Sequence, residues 1–446
     1  MQEELGKQLV KWRRDFHMYP ETGFLEMRTA SIVARILARL GFKLQLGKEV
    51  MAPVHCMGMP DKEEIQRHAE WARKNGADPE FLPYFQEGYT GVVGVWETGR
   101  TGPTLAFRFD MDALPIHESE EASHFPNQEG FRSRVPGRMH ACGHDAHIAI
   151  GLGLATLIAE NHENLQGTIK LIFQPAEEGT RGARAMVESG VVDDVDYFIA
   201  THIGTGVPHR QFVAANSGFF ATSKLDIYYR GVAAHAGGAP EAGRNALLAA
   251  ANAVLNIHAI SRHSAGATRV NVGELHAGTG RNIIPDRAVL KVETRGETSE
   301  LNDYMKNQVE QIIHAAAHMY HVDYEIKLTG EARSCPCSPD LARVLAACAE
   351  EHPWIEKAIL EKNEQSGSED ATYFMEKVQR NGGQATYCVF GTELASGHHN
   401  EKFDINEESL LPAAEILFKA ILELTRKRVS ENNRASKSYP TSVDWD

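Results

Sequence analysis

The densest cluster of reactive side chains in this chain lies near residue 140. Residues 140–147 read HACGHDAH, so three histidines, one cysteine and one aspartate occur within eight residues. Thiolate and imidazole are ligands for zinc and other transition metals, and folding alone gives no reason to place so many together. Cys142 and His144 are two positions apart, so on an extended segment their side chains point the same way. The run predicts a metal site; a polar loop with incidental histidines is the alternative.

Two adjacent carboxylates follow a predicted strand further along the chain. The sequence QPAEEG at 174–179 places Glu177 and Glu178 side by side at the carboxyl end of that strand. One carboxylate can bind a metal while the other faces a water molecule as a general base. An acidic pair without such a strand would be an ordinary solvated surface feature. In this position the pair indicates metal-assisted hydrolysis.

Histidines occur at two other places where they could reach a metal. His202 closes an apolar run, and a single histidine there is more often hydrogen-bonded than metal-bound. Residues 397–403 read GHHNEKF, and neighbouring His398 and His399 tend to point apart, so at most one need be a ligand. Neither position predicts a ligand by itself.

The elements that must carry these side chains follow from the pattern of apolar residues. Short apolar runs at 104–109, 168–173 and 196–203 predict strands, and the apolar segment 148–159 predicts a helix between the first two. Alternation of strand, helix and strand is typical of an α/β sheet, whose functional residues lie at strand ends. The polar stretch 60–88 is predicted to be a partly helical insertion between an early strand and its partner.

The pattern changes at about residue 221. Segments then follow in the order strand, helix, strand, strand, helix, strand, which is typical of a ferredoxin-like α+β domain. The sequence therefore predicts an α/β fold with two domains. A catalytic domain with a central mixed sheet flanked by helices spans 1–220 and 331–430, and the inserted α+β domain spans 221–330. The polar tail, 431–446, is predicted to be disordered.

Composition excludes several classes of protein. The formal net charge of -14 argues against a nucleic-acid partner, because nucleic-acid binders need a concentrated basic face. The sequence has no apolar run long enough to span a membrane, and residues 1–12 lack the pattern of a signal peptide. The six cysteines have no regular spacing and are predicted to be reduced. A cytoplasmic protein that binds neither membranes nor nucleic acid is predicted.

Four motifs occur in order along the chain: MHACGHD at 139–145, QPAEEG at 174–179, GSED at 367–370 and HNEKF at 399–403. The set resembles the peptidase and amidohydrolase family that includes hippurate hydrolase, auxin-conjugate hydrolases and carboxypeptidase G, over nearly the whole chain. The insertion and the GHHNEKF segment are most similar to the branch that hydrolyses p-aminobenzoyl-glutamate. The resemblance implies a zinc-peptidase-like catalytic domain with an inserted lid that also forms a dimer interface.

The resemblance also implies a complete metal site. Two divalent ions per chain, manganese or zinc with cobalt or nickel as further candidates, would be bound with Cys142 bridging them. The implied ligands are Cys142, His144, Glu178, His202 and His399, with Glu177 as catalytic base and Asp110, Asp145, Glu369 and Asp370 as supporting residues. Other branches use a His-x-Asp motif where this chain has Arg108-Phe109-Asp110. Because a guanidinium is not expected to bind a metal, His144 must supply the missing nitrogen.

The remaining implied residues come from the inserted domain. His235 matches the lid histidine that stabilises the oxyanion from the neighbouring subunit, and Asn282 matches an asparagine that holds the substrate. Arg295 matches the family's carboxylate clamp, a role that suits the planar guanidinium. Arg281 is a second candidate, for a glutamate side chain, with a solvated surface arginine as the alternative. The partner would be a second copy of the chain or a homologous second subunit.

Together these residues predict hydrolysis of the amide bond of N-acyl or N-aroyl amino acids. The expected substrate is p-aminobenzoyl-glutamate, cleaved to p-aminobenzoate and glutamate. Glu177 would take a proton from the attacking water and later protonate the leaving amine. One alternative is a broader aminoacylase or dipeptidase, because the family shares its chemistry while the pocket selects the substrate. Another is a non-catalytic subunit of a heteromer that contributes His235 to a different chain's site.

Overall fold

The computed structural model describes residues 2–363 and 367–435, with the backbone alone described from residue 427 onward. Within these residues the strands are β1 (Lys43–Leu46), β2 (Val92–Glu97), β3 (Thr104–Asp110), β4 (Thr168–Gln174), β5 (Tyr197–Ile203), β6 (Gln211–Ser217), β7 (Ala221–Arg230), β8 (Thr268–Ala277), β9 (Arg287–Gly296), β10 (Asp323–Ala332), β11 (Lys357–Asn363) and β12 (Gln384–Phe390). The α-helices are α1 (Gln2–Met18), α2 (Met27–Leu40), α3 (Lys62–Lys74), α4 (Phe125–Gln128), α5 (His144–Glu160), α6 (Ala183–Glu188), α7 (Ala246–His258), α8 (Ser299–Met319), α9 (Pro339–Glu350), α10 (Thr372–Arg380) and α11 (Leu410–Ala435).

Eight of these strands form one mixed sheet in the order β1-β2-β4-β3-β5-β12-β6-β11. Its centre is parallel, because β4, β3, β5 and β12 run in the same direction. The pairs β1–β2, β2–β4 and β12–β6 are antiparallel. The polar stretch predicted to be an insertion lies between β1 and β2 and contains α3. The prediction of a central mixed sheet flanked by helices is confirmed.

The large sheet lies between two apolar layers because its central strands bury alternate side chains on opposite faces. In β3, Leu105, Phe107 and Phe109 belong to one buried cluster, and Ala106 belongs to the other. Helix α5 packs in the first layer through Gly151, where a Cβ would lie 2.7 Å from the ring of Phe109. Full burial of a phenylalanine contributes roughly 1.5–3 kcal/mol, so this contact holds α5 firmly against the sheet.

The other four strands form a separate antiparallel sheet in the order β10-β7-β9-β8. With α7 and α8 they make up residues 221–332, here called the inserted unit, in the predicted order strand, helix, strand, strand, helix, strand. The helices share a buried cluster with Leu225 and Leu290 on one face of this sheet. On β9 the intervening positions are less buried and include Lys291 and Glu293. The unit therefore has its own core and one polar sheet face.

Two boundaries differ from the sequence prediction. Helix α5 begins at His144 rather than near residue 148, because the polar residues at its start are buried within the fold instead of forming a loop. Helix α11 runs to Ala435, since no proline or glycine follows its first turn, so the predicted tail does not begin at 431. The rest of that tail, 436–446, lies outside the described residues. Among the described helices, none is long and apolar enough to cross a membrane.

Candidate metal centre

Three neighbouring parallel strands deliver polar side chains to one edge of the large sheet. Strands β4, β3 and β5 lie side by side in the same direction, and they end at Gln174, Asp110 and Ile203. The carboxyl ends of parallel strands meet at one edge of a sheet. Glu177 and His202 therefore come together there although they are distant in sequence.

The run at 140–147 reaches the same edge as a turn followed by a helix. Gly143 has a φ of 91°, a left-handed conformation that favours glycine, and His144 is the first residue of α5. The sequence-based explanation, an extended segment with both side chains on one side, is therefore wrong. The reversal at Gly143 brings Cys142 and His144 together instead, in one group of potential ligand atoms that lie within 4.8 Å of one another.

All five implied ligands fall into two overlapping groups. The first contains Cys142, His144 and His202. The second contains Cys142, Glu178 and His399, and within each group the potential ligand atoms lie within 4.8 Å of one another. Cys142 Sγ is 3.6 Å from Nε2 of His202, and Nε2 of His399 is 3.4 Å from Oε1 of Glu178. Cys142 is the residue that both groups share, as a bridging thiolate requires.

Hydrogen bonds leave the Nε2 atoms of two histidines available to a metal. Nδ1 of His144 lies 2.8 Å from the carbonyl oxygen of Asp112, and Nδ1 of His202 lies 2.8 Å from that of Ile203. Each Nδ1–H donates to its carbonyl, so in the neutral form of each ring Nε2 carries the lone pair. Nε2 of His144 and Oε1 of Glu178 are buried without a hydrogen-bond partner among the described residues. Unpartnered imidazole and carboxylate atoms beside a thiol fit a divalent metal.

A carboxylate that the sequence analysis missed positions the acidic pair. The oxygens of the buried Asp112 side chain accept hydrogen bonds from the backbone N–H groups of Glu177 and Glu178, at 2.9 and 3.0 Å. The carbonyl oxygen of Asp112 also orients His144. Asp112 thus links the candidate base to two candidate ligands. Its only sequence signal was its place two residues after Asp110, at the end of a predicted strand.

Negative charge accumulates around Glu177. Potential ligand oxygens of Glu177, Glu369 and Asp370 lie within 4.8 Å of one another. Burial, followed by the charges of Glu369 and Glu178, raises the pKa of Glu177 well above its usual range. Divalent cations at Glu178 would offset this charge and favour the ionised form of Glu177 that a general base needs.

Arg108 lies at the centre of a buried ion-pair network behind the candidate ligands. Its guanidinium is 2.7 Å from Asp110, 2.9 Å from Glu369 and 3.3 Å from Asp370. Burial disfavours the charged guanidinium, but these carboxylates outweigh burial and raise the pKa of Arg108. The network joins Asp110, Glu369 and Asp370, and the positive charge of Arg108 offsets part of the negative charge near Glu177.

His147 is engaged at both ring nitrogens. It belongs to a further group with Asp110 and His144. Its Nδ1 donates to Asp110 at 2.5 Å, and its Nε2 accepts from the backbone N–H of Ile203 at 3.0 Å. Because no lone pair of its ring is left over, His147 supports Asp110 instead of offering a ligand atom.

Asp145, for which the resemblance implies a supporting role, takes part in a buried network with helix α1. It is fully buried and lies 2.8 Å from Arg13 and 2.8 Å from His17, both on α1. Arg13 also pairs with Asp404 at 2.5 Å, directly after the HNEKF motif. Asp145 therefore connects the start of α5 to α1 and, through Arg13, to the segment that follows HNEKF. These contacts help to position residues 140–147.

The two neighbouring histidines near the C-terminus have different surroundings. His399 lies in the second ligand group, and its backbone N–H donates to the carbonyl oxygen of Ala141 at 2.7 Å. Nε2 of His398 lies 3.3 Å from the carbonyl oxygen of Ile203, and His398 is in none of the candidate groups formed by the described residues. A φ of 62° at His399 turns the backbone at this point. This geometry favours His399 as the ligand.

Four of the five candidate ligands, all except the buried His144, line a cavity of about 380 Å³, within the range of small-molecule sites. Its lining includes Cys142, Glu177, Glu178, Thr180, His202, Lys224, Arg295, Ser368, Glu369, Tyr387, His398 and His399. Arg295 thus lies where a substrate carboxylate could reach it. His235, Asn282 and Arg281 are exposed and do not line this cavity, so within one chain they are not brought to the metal residues.

Lys224 is a second residue that the sequence analysis missed. It projects from β7 and lines the cavity together with Arg295. A lysine on the polar side of an alternating strand is an ordinary feature, so no pattern marked it. Only the position of β7 beside the metal residues makes its charge relevant to a ligand.

Comparison with known proteins places this geometry in a family. Residues 106–423 match the model of peptidase family M20/M25/M40. The chain is 53% identical to indole-3-acetyl-aspartic acid hydrolase of Enterobacter agglomerans, over 93% of this chain and 95% of that protein. It is 52% identical to a p-aminobenzoyl-glutamate hydrolase subunit of Escherichia coli, over 94% of this chain and 96% of that protein.

A solved structure agrees with these relatives. The aminobenzoyl-glutamate utilization protein of Klebsiella pneumoniae is similar with a TM-score of 0.83 and 47% sequence identity, over 95% of this chain and 97% of that one. The match therefore extends over both the large sheet and the inserted unit. The chain belongs to peptidase family M20/M25/M40 and is a metal-dependent amidohydrolase.

Proposed function

We propose that the protein hydrolyses the amide bond of N-aroyl and N-acyl amino acids, with p-aminobenzoyl-glutamate as its substrate and p-aminobenzoate and glutamate as products. The main support is that four candidate ligands, Cys142, Glu178, His202 and His399, line one cavity with Glu177 and Arg295, while the fifth, His144, has ligand atoms within 4.8 Å of those of Cys142 and His202. Similarity to the p-aminobenzoyl-glutamate hydrolase of Escherichia coli and to the aminobenzoyl-glutamate utilization protein supports the choice of substrate.

The five residues are proposed to hold two divalent ions, with Cys142 between them. The two overlapping groups of donors and the unpartnered atoms of His144 and Glu178 support this arrangement. One thiolate, three imidazoles and one carboxylate suit zinc or manganese, with cobalt and nickel as further candidates, because metal availability often decides among them. The bound ions would polarise the amide carbonyl and make water a better nucleophile.

Glu177 is proposed to move the proton. As a carboxylate it accepts a proton from the water that attacks the amide carbon, and as a carboxylic acid it returns the proton to the departing nitrogen. Asp112 fixes the backbone of Glu177 before substrate binds. Arg295 is proposed to bind the α-carboxylate through its forked guanidinium, which Glu293 orients at 3.0 Å.

The inserted unit is proposed to act as a lid and as an interface with a second chain. His235 and Asn282 are exposed on it, although the reaction is expected to need them. Leu255 on α7 is 74% exposed and Leu275 on the edge strand β8 is 43% exposed, which suits a surface that another chain covers. We propose that His235 stabilises the oxyanion in that chain's site. Because the Escherichia coli relative is by name one part of a larger enzyme, a homologous second chain is the alternative to a second copy.

We also propose a separate role for each of the two domains. Residues 1–220 and 331–430 would act as the catalytic domain, and residues 221–330 as the lid. We also propose a cytoplasmic location, because all six cysteines are free thiols, which suits a reducing compartment.

A broader hydrolase of acylated amino acids is the second candidate. The chain is 53% identical to the indole-3-acetyl-aspartic acid hydrolase and 52% identical to the p-aminobenzoyl-glutamate hydrolase. Overall similarity therefore does not select one acyl group, and the acyl pocket decides between the two candidates.

One substrate panel tests both candidates. Purified protein loaded with manganese or zinc is given p-aminobenzoyl-glutamate, indole-3-acetyl-aspartate and an N-acetylated aliphatic amino acid, and release of the free amino acid is measured. The proposal expects p-aminobenzoyl-glutamate to be cleaved fastest. If the aliphatic compound were cleaved about a hundredfold faster, the broader hydrolase would replace it. No release from any compound, with metal shown to be bound, would contradict both.

A further inference from the structure

Two cations from the inserted unit line the same cavity as the candidate metal ligands. They are Lys224 on β7 and Arg295 on β9. Arg295 alone is enough to bind the α-carboxylate that every acylated amino acid carries. A substrate whose amino acid has a neutral side chain therefore offers no carboxylate to the second cation, Lys224.

The register of the two strands places these cations on one face of the sheet. Lys224 pairs with Glu293, and Thr222 pairs with Arg295, in an antiparallel ladder. Lys224 and Arg295 are therefore diagonal neighbours, with backbone positions about 7–8 Å apart. Flexible side chains at that spacing can reach two carboxylates of one small molecule, as in glutamate or aspartate.

Glu293 lies on the same face of the sheet as the two cations, opposite Lys224 and two residues before Arg295. One of its oxygens is 3.0 Å from the Arg295 guanidinium and 3.4 Å from the hydroxyl of Thr222. Burial lowers the pKa of Lys224, and Glu293 and then Glu177 oppose this effect. Two cationic side chains thus line one side of the cavity, and each can pair with one carboxylate of a ligand that carries two.

The backbone holds the stem of Lys224 close to the loop that follows the acidic pair. Gly330 on β10 pairs with Lys224, and a Cβ at Gly330 would lie 3.1 Å from Cδ of Lys224 and 2.2 Å from the carbonyl oxygen of Gly179. Only glycine allows strand β10, this loop and the lysine stem to lie together. The ammonium is thereby kept at the end of the cavity where Glu177 and Glu178 lie.

We propose that Lys224, acting with Arg295, binds the second carboxylate of an acidic amino acid, so that the cavity selects N-acyl glutamates and aspartates over conjugates of neutral amino acids. The inference rests on the proposed hydrolysis of acylated amino acids and names the amino acids it favours. Arg281, the candidate for this contact from the sequence, lies outside the cavity within one chain. Lys224 is thus a specificity residue, and Arg295 binds the carboxylate that all substrates share.

The test compares p-aminobenzoyl-glutamate with p-aminobenzoyl-glutamine. The two compounds have nearly the same shape, but the side chain ends in a carboxylate in the first and in a neutral amide in the second. Dissociation constants are measured by calorimetry on the metal-loaded E177Q protein, so that binding is observed without turnover. Ratios of kcat/KM are then measured on protein with Glu177 intact. Lys224→Met is expected to lower the preference for glutamate at least about tenfold in both ratios, because a charged partner is lost.

Two further variants control this experiment. Lys224→Arg keeps the charge and is expected to retain most of the preference. Lys291→Met removes an exposed lysine from the same face of β9, where it pairs with Glu274 at 3.2 Å, and is expected to keep the full preference. If Lys224→Met did not fold, Lys224→Gln would give the same comparison.

The outcomes separate this inference from the proposed function. If neither compound is cleaved but the binding preference depends on Lys224, the proposed reaction is wrong and the carboxylate site stands. If p-aminobenzoyl-glutamate is cleaved and the preference is unchanged in Lys224→Met, the reaction stands and the role of Lys224 is refuted. An equal loss of preference in Lys291→Met would also refute it, because the effect would then be one of general charge.

Discussion

The cavity at the edge of the large sheet differs from the exposed loops of the inserted unit. In the cavity the reactive side chains of one chain lie close together, whereas on the loops they do not contact the cavity of the same chain. At the sheet edge, Cys142 and its neighbours bring potential ligand atoms within 4.8 Å of one another. On the inserted unit, His235 and Asn282 are exposed, and Nδ1 of His235 accepts hydrogen bonds from the nearby backbone at Gly237 and Gly238, at 3.1 and 2.9 Å. A single chain thus brings the candidate metal ligands together but exposes His235 and Asn282 on its surface.

The difference follows from what surrounds each region. Strand ends packed on both faces leave little water, so a polar atom there needs a partner. Nε2 of His144 has no hydrogen-bond partner among the described residues, which suits a ligand of a divalent ion. His235 stays in water and needs no such partner.

Replacement of Glu177 by glutamine tests the chemistry of the cavity. Glutamine keeps the shape but cannot accept the proton, so kcat on p-aminobenzoyl-glutamate is expected to fall about a thousandfold or more. Metal content, measured by plasma mass spectrometry, is expected to stay unchanged. Glu188→Gln, on the exposed end of α6, is the matched control and should remain active. Full activity of E177Q in the assembled protein would favour the non-catalytic role instead.

His235 tests whether the inserted unit serves a neighbouring site. Replacement of His235 by alanine is expected to lower kcat about a hundredfold, because an oxyanion donor is lost. Mixing this variant with E177Q after dissociation should restore about a quarter of the activity, since half the random dimers are mixed and each mixed dimer holds one intact site. If mixed dimers are demonstrated but activity is not restored, His235 does not act in the partner's site.

Cys142 tests whether one residue joins the two groups of ligands. Replacement by alanine removes the thiolate that both groups share, so bound metal is expected to fall from two ions per chain to one or none. Equilibrium dialysis followed by metal analysis measures this. Cys56→Ala removes a partly buried thiol outside the candidate groups and should bind metal normally. Normal metal content in Cys142→Ala would contradict the proposed site.

The network of Asp145 with Arg13 and His17 is expected to affect the stability of the protein. Burial opposes the charge on His17, but hydrogen bonds to Asp145 and Glu118 outweigh burial and raise its pKa from 6.5 to about 9. Because folded His17 binds its proton more tightly than the unfolded chain does, the stabilisation is present below pH 6.5 and is lost as pH rises through 9. The free energy of unfolding of metal-free protein should fall by an amount on the order of 3 kcal/mol.

Chemical denaturation in the presence of a chelator measures how the free energy of unfolding depends on pH. Glu118 does not interfere with the alkaline range. Burial opposes its ionised form, but hydrogen bonds from His124 and His17 lower its pKa to about 2, so its stabilisation is lost only between pH 4.5 and 2. His17→Gln should flatten the alkaline slope, and His263→Gln, on an exposed loop, should not. An unchanged slope in His17→Gln would show that the network does not act through this proton.

Much of the fold could be predicted because apolar periodicity records local structure. The runs at 104–109 and 168–173 became the neighbouring strands β3 and β4, and the order of elements after residue 221 was found as expected. The start of α5 was missed because HACGHDAH has no apolar periodicity. Its helical geometry depends on burial against distant segments, which a local pattern does not contain.

The candidate ligands could be predicted where several rare side chains occur together, as around Cys142. Asp112 and Lys224 were missed because each is an isolated residue whose importance comes only from long-range packing. Asp145 was expected as a supporting residue of the metal site, but the sequence did not indicate its partners. Its side chain points to α1, since helix geometry turns adjacent residues to different faces.

The most direct test of the metal centre is anomalous diffraction from crystals grown with manganese. We expect two peaks per chain in the cavity, one beside His202 and one beside His399, with Cys142 Sγ between them. A single peak, or peaks held by Glu177, Glu369 and Asp370 and away from Cys142, would contradict it.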